Sequence, residues 1–194
     1  MSKLQRSDLM SLEEYATQRI AFRDKVMAHK KTRHIHLGEH ATLYFEDRLT
    51  MQYQVQEMLR VERIFEEEGI LEELKAYNPL IPDGKNLKAT FMIEYADEDE
   101  RREALAKMIG IEDKVWVQMD GFEKVYAIAD EDMERDTEEK TSAVHFLRFE
   151  FSDDMVSAAK KSANIAMGIE HTAYTQILNP ISNESMSSLI ADFA

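Results

Sequence analysis

The stretch TRHIHLGEHATLYFED, residues 32–47, decides the class of fold. HIHL and ATLYF are β-rich runs on either side of a short Gly-containing connection, which predicts a β-hairpin over about 33–37 and 41–46 with its turn at Gly38 to His40. Helical patterns lie on both sides of it. Upstream, SLEEYATQRIAFRDKVMAHKK (11–31) opens with a capping box, Ser11 with Glu14 three residues on, and spaces Leu12, Tyr15, Ile20, Phe22, Val26 and Met27 at helical intervals. Its acids lead and its bases follow, as the helix dipole favours. Downstream, Met51, Val55, Met58 and Phe65 recur at steps of a helical seam, so a second helix is predicted over about 48–67, with Gly69 separating it from a shorter one at about 70–77.

The rest of the chain repeats this mixture. YNPLIPDGKN (77–86) holds two of the three prolines and a Pro-Asp-Gly turn, which makes it an irregular connection. In LKATFMIEY (87–95), Phe91, Ile93 and Tyr95 alternate with Thr90, Met92 and Glu94, the pattern of a strand with one apolar face. Asp97 caps a following helix that Gly110 is placed to end. KVWVQM and KVYAIA, separated by Asp-Gly-Phe-Glu, read as a second hairpin, and SAVHFLRFEF (142–151) as the last strong strand. Ser152-Asp153-Asp154 then starts a small-residue helix that Gly168 closes. This order does not alternate as a doubly wound fold would, so the expectation is an α+β protein. It is read as one domain over 1–194, with an antiparallel or mixed sheet of about five to six strands and helices mainly on one face, without internal repeats or a linker.

Charge and composition exclude several function classes. With 38 Asp+Glu against 24 Lys+Arg, the formal net charge of −14 repels polyanions, so neither nucleic acid nor an anionic membrane is an expected partner. The absence of cysteine removes disulfides, thiolate catalysis, zinc fingers and cysteine-ligated iron–sulfur clusters together. MSKLQRSDLM has no apolar stretch of a signal peptide, and no run approaches the ~20 apolar residues of a membrane span, which makes a cytoplasmic location the expectation.

Two polar residues interrupt apolar faces. Glu62 stands where the seam Met51, Val55, Met58, Phe65 calls for another apolar residue, so it reads as a buried carboxylate, ion-paired or functional, or as the sign of a seam that ends early. Arg60 lies on the adjacent polar face. On the last strong strand, His145 shares a face with Ala143, Leu147, Phe149 and Phe151; it reads as a core histidine bonded to a carbonyl, or as a base or ligand. On the opposite face, Arg148 would meet Glu94 if the two strands were neighbours. Together Arg60, Glu62, Glu94, His145 and Arg148 form a candidate anion- or carboxylate-binding pocket. His34 and His36 point to one face of their strand and offer at most a weak Zn, Ni or Cu site. DEDMERDTEEK (130–140) is acidic but fails as a calcium loop, with Arg135 at its sixth position and Thr141 at its twelfth, and reads as a solvated segment or a docking site for a basic partner. No phosphate loop, nucleophile elbow or nucleotide fingerprint is present, and no cofactor is expected.

FEDRLTMQYQVQEMLRVERI (45–64), YNPLIPDGKNLKATFMIEY (77–95) and IADEDMERDTEEKTSAVHFLRFEF (128–151), together with the first helix, resemble the bacterial family called domain of unknown function 3501. The resemblance brings no activity with it. It implies company with rubrerythrin and with a cysteine-rich iron–sulfur oxidoreductase, in peroxide defence or electron transfer. A chain without cysteine cannot hold such a cluster, so the expectation is an accessory or scaffold protein that binds a cytoplasmic iron–sulfur or di-iron redox partner. The rival is a small-anion-binding enzyme or sensor built on the Glu/His/Arg pocket. A homodimer is the default on base rates.

Overall fold

The computed structural model describes residues 2–129, 140–161 and 163–194. Among them, α1 (Leu12–Lys30), α2 (Arg48–Glu62) and α3 (Glu67–Tyr77) surround the hairpin β1 (His34–His36) and β2 (Ala41–Glu46) in sequence. Then come β3 (Asn86–Ile93), α4 (Glu98–Lys107), β4 (Val115–Met119), β5 (Val125–Tyr126), β6 (Ile128–Ala129), β7 (Val144–Glu150), α5 (Asp153–Lys160), β8 (Ile165–His171), β9 (Tyr174–Leu178) and α6 (Asn183–Ile190). The α+β class is as expected. The strands divide between two antiparallel sheets, ordered β1-β2-β3-β7-β6 and β5-β4-β8-β9, where the sequence suggested a single sheet of five or six.

The local signals explain most elements. Ser11 and Glu14 make both bonds of the capping box on α1, and Asp97 accepts from the N–H groups of Asp99 and Glu100 at the start of α4. The hairpin turn uses Gly38 at φ +81°, a left-handed conformation that costs glycine little. Two boundaries differ from the sequence reading. Helix α2 ends at Glu62, five residues before the predicted end, because Arg63 takes the left-handed conformation (φ 57°) and its N–H closes on the Leu59 carbonyl. Gly69 consequently lies inside α3 instead of ahead of it.

The larger difference is at residues 165–178, where a helical end was expected and the chain forms the hairpin β8–β9. Gly168 closes no helix. It sits mid-strand opposite Trp116, and an added Cβ there would lie 2.5 Å from the indole ring and 2.6 Å from the Gln176 carbonyl oxygen. The missing side chain is what lets Trp116 lie over the strand, 2 % exposed although it faces away from the core shared by the sheets.

Two cores result. The larger joins the inner faces of both sheets (Leu43, Phe45, Leu87, Phe91, Phe149, Val115, Val117, Met167, Ile169) to apolar residues near α4, α5 and α6, including Leu105, Val156 and Leu189. The smaller lies among the N-terminal segment and α2 and α3, from Leu4, Leu9, Met51, Val55, Leu59, Ile70, Leu74 and Ile81. Helix α1 buries only Tyr15 and Val26 fully, so little apolar area holds it. Its attachment is polar: Glu57 on α2 accepts from the Tyr15 hydroxyl (2.6 Å) and from Arg19 Nε and Nη2 (2.7 and 2.9 Å).

Candidate functional site

The five residues of the predicted pocket do not come together. Glu62 is exposed at the last position of α2, because the helix unwinds at Arg63 before its seam can carry Glu62 inward. Arg60 is exposed too and donates to Glu57 Oε2 at 3.1 Å. The part-buried carboxylate of this helix is Glu57. Strands β3 and β7 are neighbours as supposed, but their register sets Arg148 opposite Lys88 and His145 opposite Phe91. Arg148 therefore binds Glu150 and not Glu94, on the face of β7 opposite to His145. His145 is 3 % exposed, with Nε2 3.0 Å from both Thr141 Oγ1 and the Ser142 carbonyl oxygen. A carbonyl only accepts, so Nε2 carries the proton, and the reading as a core histidine bonded to a carbonyl describes it.

Glu94 does belong to a cluster, one that the sequence reading missed. It follows β3, is exposed, and accepts from Thr42 Oγ1 at 2.7 Å and from the Tyr44 hydroxyl at 3.2 Å. Thr42 spends its single proton on Glu94, so its oxygen accepts from His36 Nδ1 at 3.0 Å. The result is a directed chain from His36 through Thr42 to the carboxylate, with Tyr44 closing it from the side. Burial, then the Glu94 charge, raises the Tyr44 phenol above its ordinary range. His34, on the same face, sets its ring edge-on against Tyr44 with centroids 4.4 Å apart. Burial, followed by Lys30 and His36, lowers its pKa. Both histidines face one side as expected, yet among the described residues no three His, Asp or Glu side chains converge to hold a metal ion.

Beside Glu94 opens a cleft of about 470 Å³ lined by Met92, Ile93, Glu94, Tyr95, Ala96, Arg101 and Ala143. The His40 ring stacks on Tyr95 (centroids 3.9 Å, planes 11° apart), and His40 Nδ1 donates to the Glu94 carbonyl oxygen at 3.0 Å. Burial raises the Tyr95 phenol, with Tyr174 and Glu100 adding to the shift. Arg101 comes from α4. Its Nη1 is 3.4 Å from the Tyr95 carbonyl oxygen, and among the described residues no carboxylate lies within ion-pairing distance of it. A guanidinium and an aromatic ring beside a carboxylate can hold a small anion and accept a hydrogen bond from its hydroxyl or amine. Alternation on β2 is the one signal that could have pointed to Thr42 and Tyr44. Arg101 stands in the run DEDERRE, which reads as solvated surface. The acidic segment at 130–139 lies outside the described residues.

The comparisons with known proteins agree on the class. The family model described as "Protein of unknown function (DUF3501)" matches residues 3–193, and the chain belongs to that family. Among solved structures, it is similar to a novel protein of unknown function from Burkholderia pseudomallei K96243, with 50% sequence identity over 100% of both chains and a TM-score of 0.93. No curated protein matches it. No helix among the described residues is long and apolar enough to cross a membrane.

Proposed function

We propose that this protein is an accessory or scaffold component that docks onto a cytoplasmic redox protein, an iron–sulfur oxidoreductase or a rubrerythrin-like di-iron protein, in peroxide defence or electron transfer. The observation that carries the reading is the corner between α2 and α3. Val61 and Phe65 are each 61% exposed there and Leu71 49%, beside the exposed carboxylates of Glu62, Glu66, Glu67, Glu68 and Glu72. Apolar side chains among acids suit a partner with an apolar spot inside a basic rim. Burial, and then the crowding charges of Glu62 and Glu72, raise the Glu73 carboxyl above its usual range, a tension that a cationic partner relieves. The test is a pull-down at native level from the protein's own host, with the visible spectrum of the eluate recorded. A coloured iron–sulfur or di-iron protein co-elutes, leaves as salt is raised, and is recovered at least tenfold less with Phe65→Asp, which removes the apolar contact and sets a carboxylate against the partner's apolar spot at a cost of about 1.4 kcal/mol or more. Elution alone and colourless at low salt would overturn the proposal.

A second reading, a sensor or enzyme for a small anion, is favoured by Arg101 in its cleft, which has no carboxylate partner among the described residues. Inorganic phosphate and short dicarboxylates then raise the melting temperature of the wild type, and Arg101→Gln abolishes the shift without altering the unliganded protein. No shift of the wild type with any of them removes this reading.

A further inference from the structure

Sheets carry a hazard at their edges, where a row of unpaired N–H and C=O groups can template another strand. Of the four sheet edges among the described residues, three are short there: β1 has three residues, and β5 and β6 have two each. The fourth, β9, has five, and is laddered to β8 in unbroken register from Met167–Leu178 to His171–Tyr174. It has none of the usual guards. Tyr174, Thr175, Gln176, Ile177 and Leu178 include no charge and no proline, the unbroken register leaves no bulge, and Ile177 is 61% exposed. In an antiparallel ladder alternate residues turn their N–H and C=O away from the neighbour, and among the described residues no backbone N–H or C=O of residues 174–178 bonds to a backbone group beyond β8.

The charge distribution selects what can approach this edge. The chain is 32% charged, yet no Asp, Glu, Lys or Arg occurs between Glu170 and Glu184. Two copies at −14 each repel one another over most of their surface, and the longest uncharged segment coincides with the longest open edge among the described residues. The strand is also held ready. The Tyr174 hydroxyl donates to the Leu37 carbonyl (2.7 Å) and accepts from the His40 N–H (3.2 Å), which pins its first residue to the β1–β2 turn.

From this we infer that β9 pairs with β9 of a second copy, antiparallel across a twofold axis, joining the two four-stranded sheets into one of eight strands. Self-pairing needs no second surface, because an antiparallel strand presents the same donors and acceptors to its twin. The pair places the two Ile177 side chains close together on one face of the joined sheet.

The test uses the full chain in sedimentation equilibrium over two decades of concentration, with amide exchange followed across residues 174–178. The wild type associates to twice 22.6 kDa, and the β9 amides are protected more strongly as concentration rises. Ile177→Lys, which brings like charges together at the junction, weakens association at least tenfold with an unchanged circular dichroism spectrum, while Ile177→Val keeps the pair. A wild type that stays at 22.6 kDa throughout overturns the inference, as does a dimer that is untouched by Ile177→Lys and shows no concentration dependence in the β9 amides.

Discussion

Asp192→Ala is expected to lower the free energy of unfolding by about 3–5 kcal/mol, the cost of leaving a buried charge without its partner. That charge is Arg33, 1% exposed at the foot of β1. Its guanidinium donates to the carbonyls of Phe45 (3.0 Å), Glu46 (3.1 Å) and Ser188 (3.1 Å) and grips Asp192 through both terminal nitrogens (2.5 and 3.3 Å). Asp47, 3.6 Å from Arg33 Nε, is the remaining anion, and it is already engaged by His29 Nε2 at 2.5 Å and by the Thr50 N–H. Burial pushes the Asp47 carboxyl up, but Arg33, the Thr50 N–H and His29 together hold it below its usual value. Losing Asp192 thus unpins α6 from the first sheet and strands a cation. Urea denaturation at neutral pH measures the loss, and a cost under about 1 kcal/mol would show that the clamp is idle.

The same carboxylate has an acid signature. Burial pushes Asp192 up to about 6 against the pull of Arg33, from 3.8 when unfolded. The native state therefore binds this proton at higher pH than the unfolded chain does, and the contribution of Asp192 to stability rises as pH falls from about 6 towards about 4. Asp192→Asn removes that part of the pH profile.

Glu57→Gln is the second large effect, with the opposite sign in pH. The bond from Arg19 comes first, opposed by burial and helped by Tyr15 and Arg60, and holds Glu57 down at about 2 against 4.5 unfolded. Its contribution is complete above the unfolded value and is lost as pH falls from about 4.5 towards about 2. Because the side chain is only 16% exposed, we expect the substitution to cost about 2–3 kcal/mol at neutral pH. Paired denaturation curves should show the gap between wild type and variant shrinking by more than half by about pH 3. A gap of equal size at both pH values would mean that packing, not charge, holds α1 to α2.

What could be read from the sequence divides along physical lines. Capping and alternation are local, so Ser11–Glu14, Asp97 and the β3 pattern led directly to their elements. The 165–178 hairpin was hidden because Gly168, a helix stop in sequence terms, takes its meaning from the indole of Trp116, 52 residues away. Of the readings of Glu62, the seam that ends early is the one the structure bears out; the buried carboxylate fails because a seam read by period assumes that the helix continues, and a left-handed Arg63 is not a stop that sequence announces. His145 was placed on the right face, since alternation fixes the face; its distance from Arg148 and Glu94 depends on register, which no single strand encodes. Arg33 gave no sign of burial in the run KKTRH. The cluster around Glu94 was invisible for a related reason, as it is assembled from β1, β2 and the end of β3 only once the sheet has formed.

Strands β5 and β6 are separated by Ala127 alone, yet they belong to different sheets: Val125 and Tyr126 pair with β4, Ile128 and Ala129 with β7. Ala127 is buried at the crossing and its N–H bonds to the Val115 carbonyl at 2.8 Å. This short run is a seam sewn through both fabrics. Neither sheet can be excised as a self-contained module, and a break in the chain between Val125 and Ala129 would take the end strand from each at one stroke.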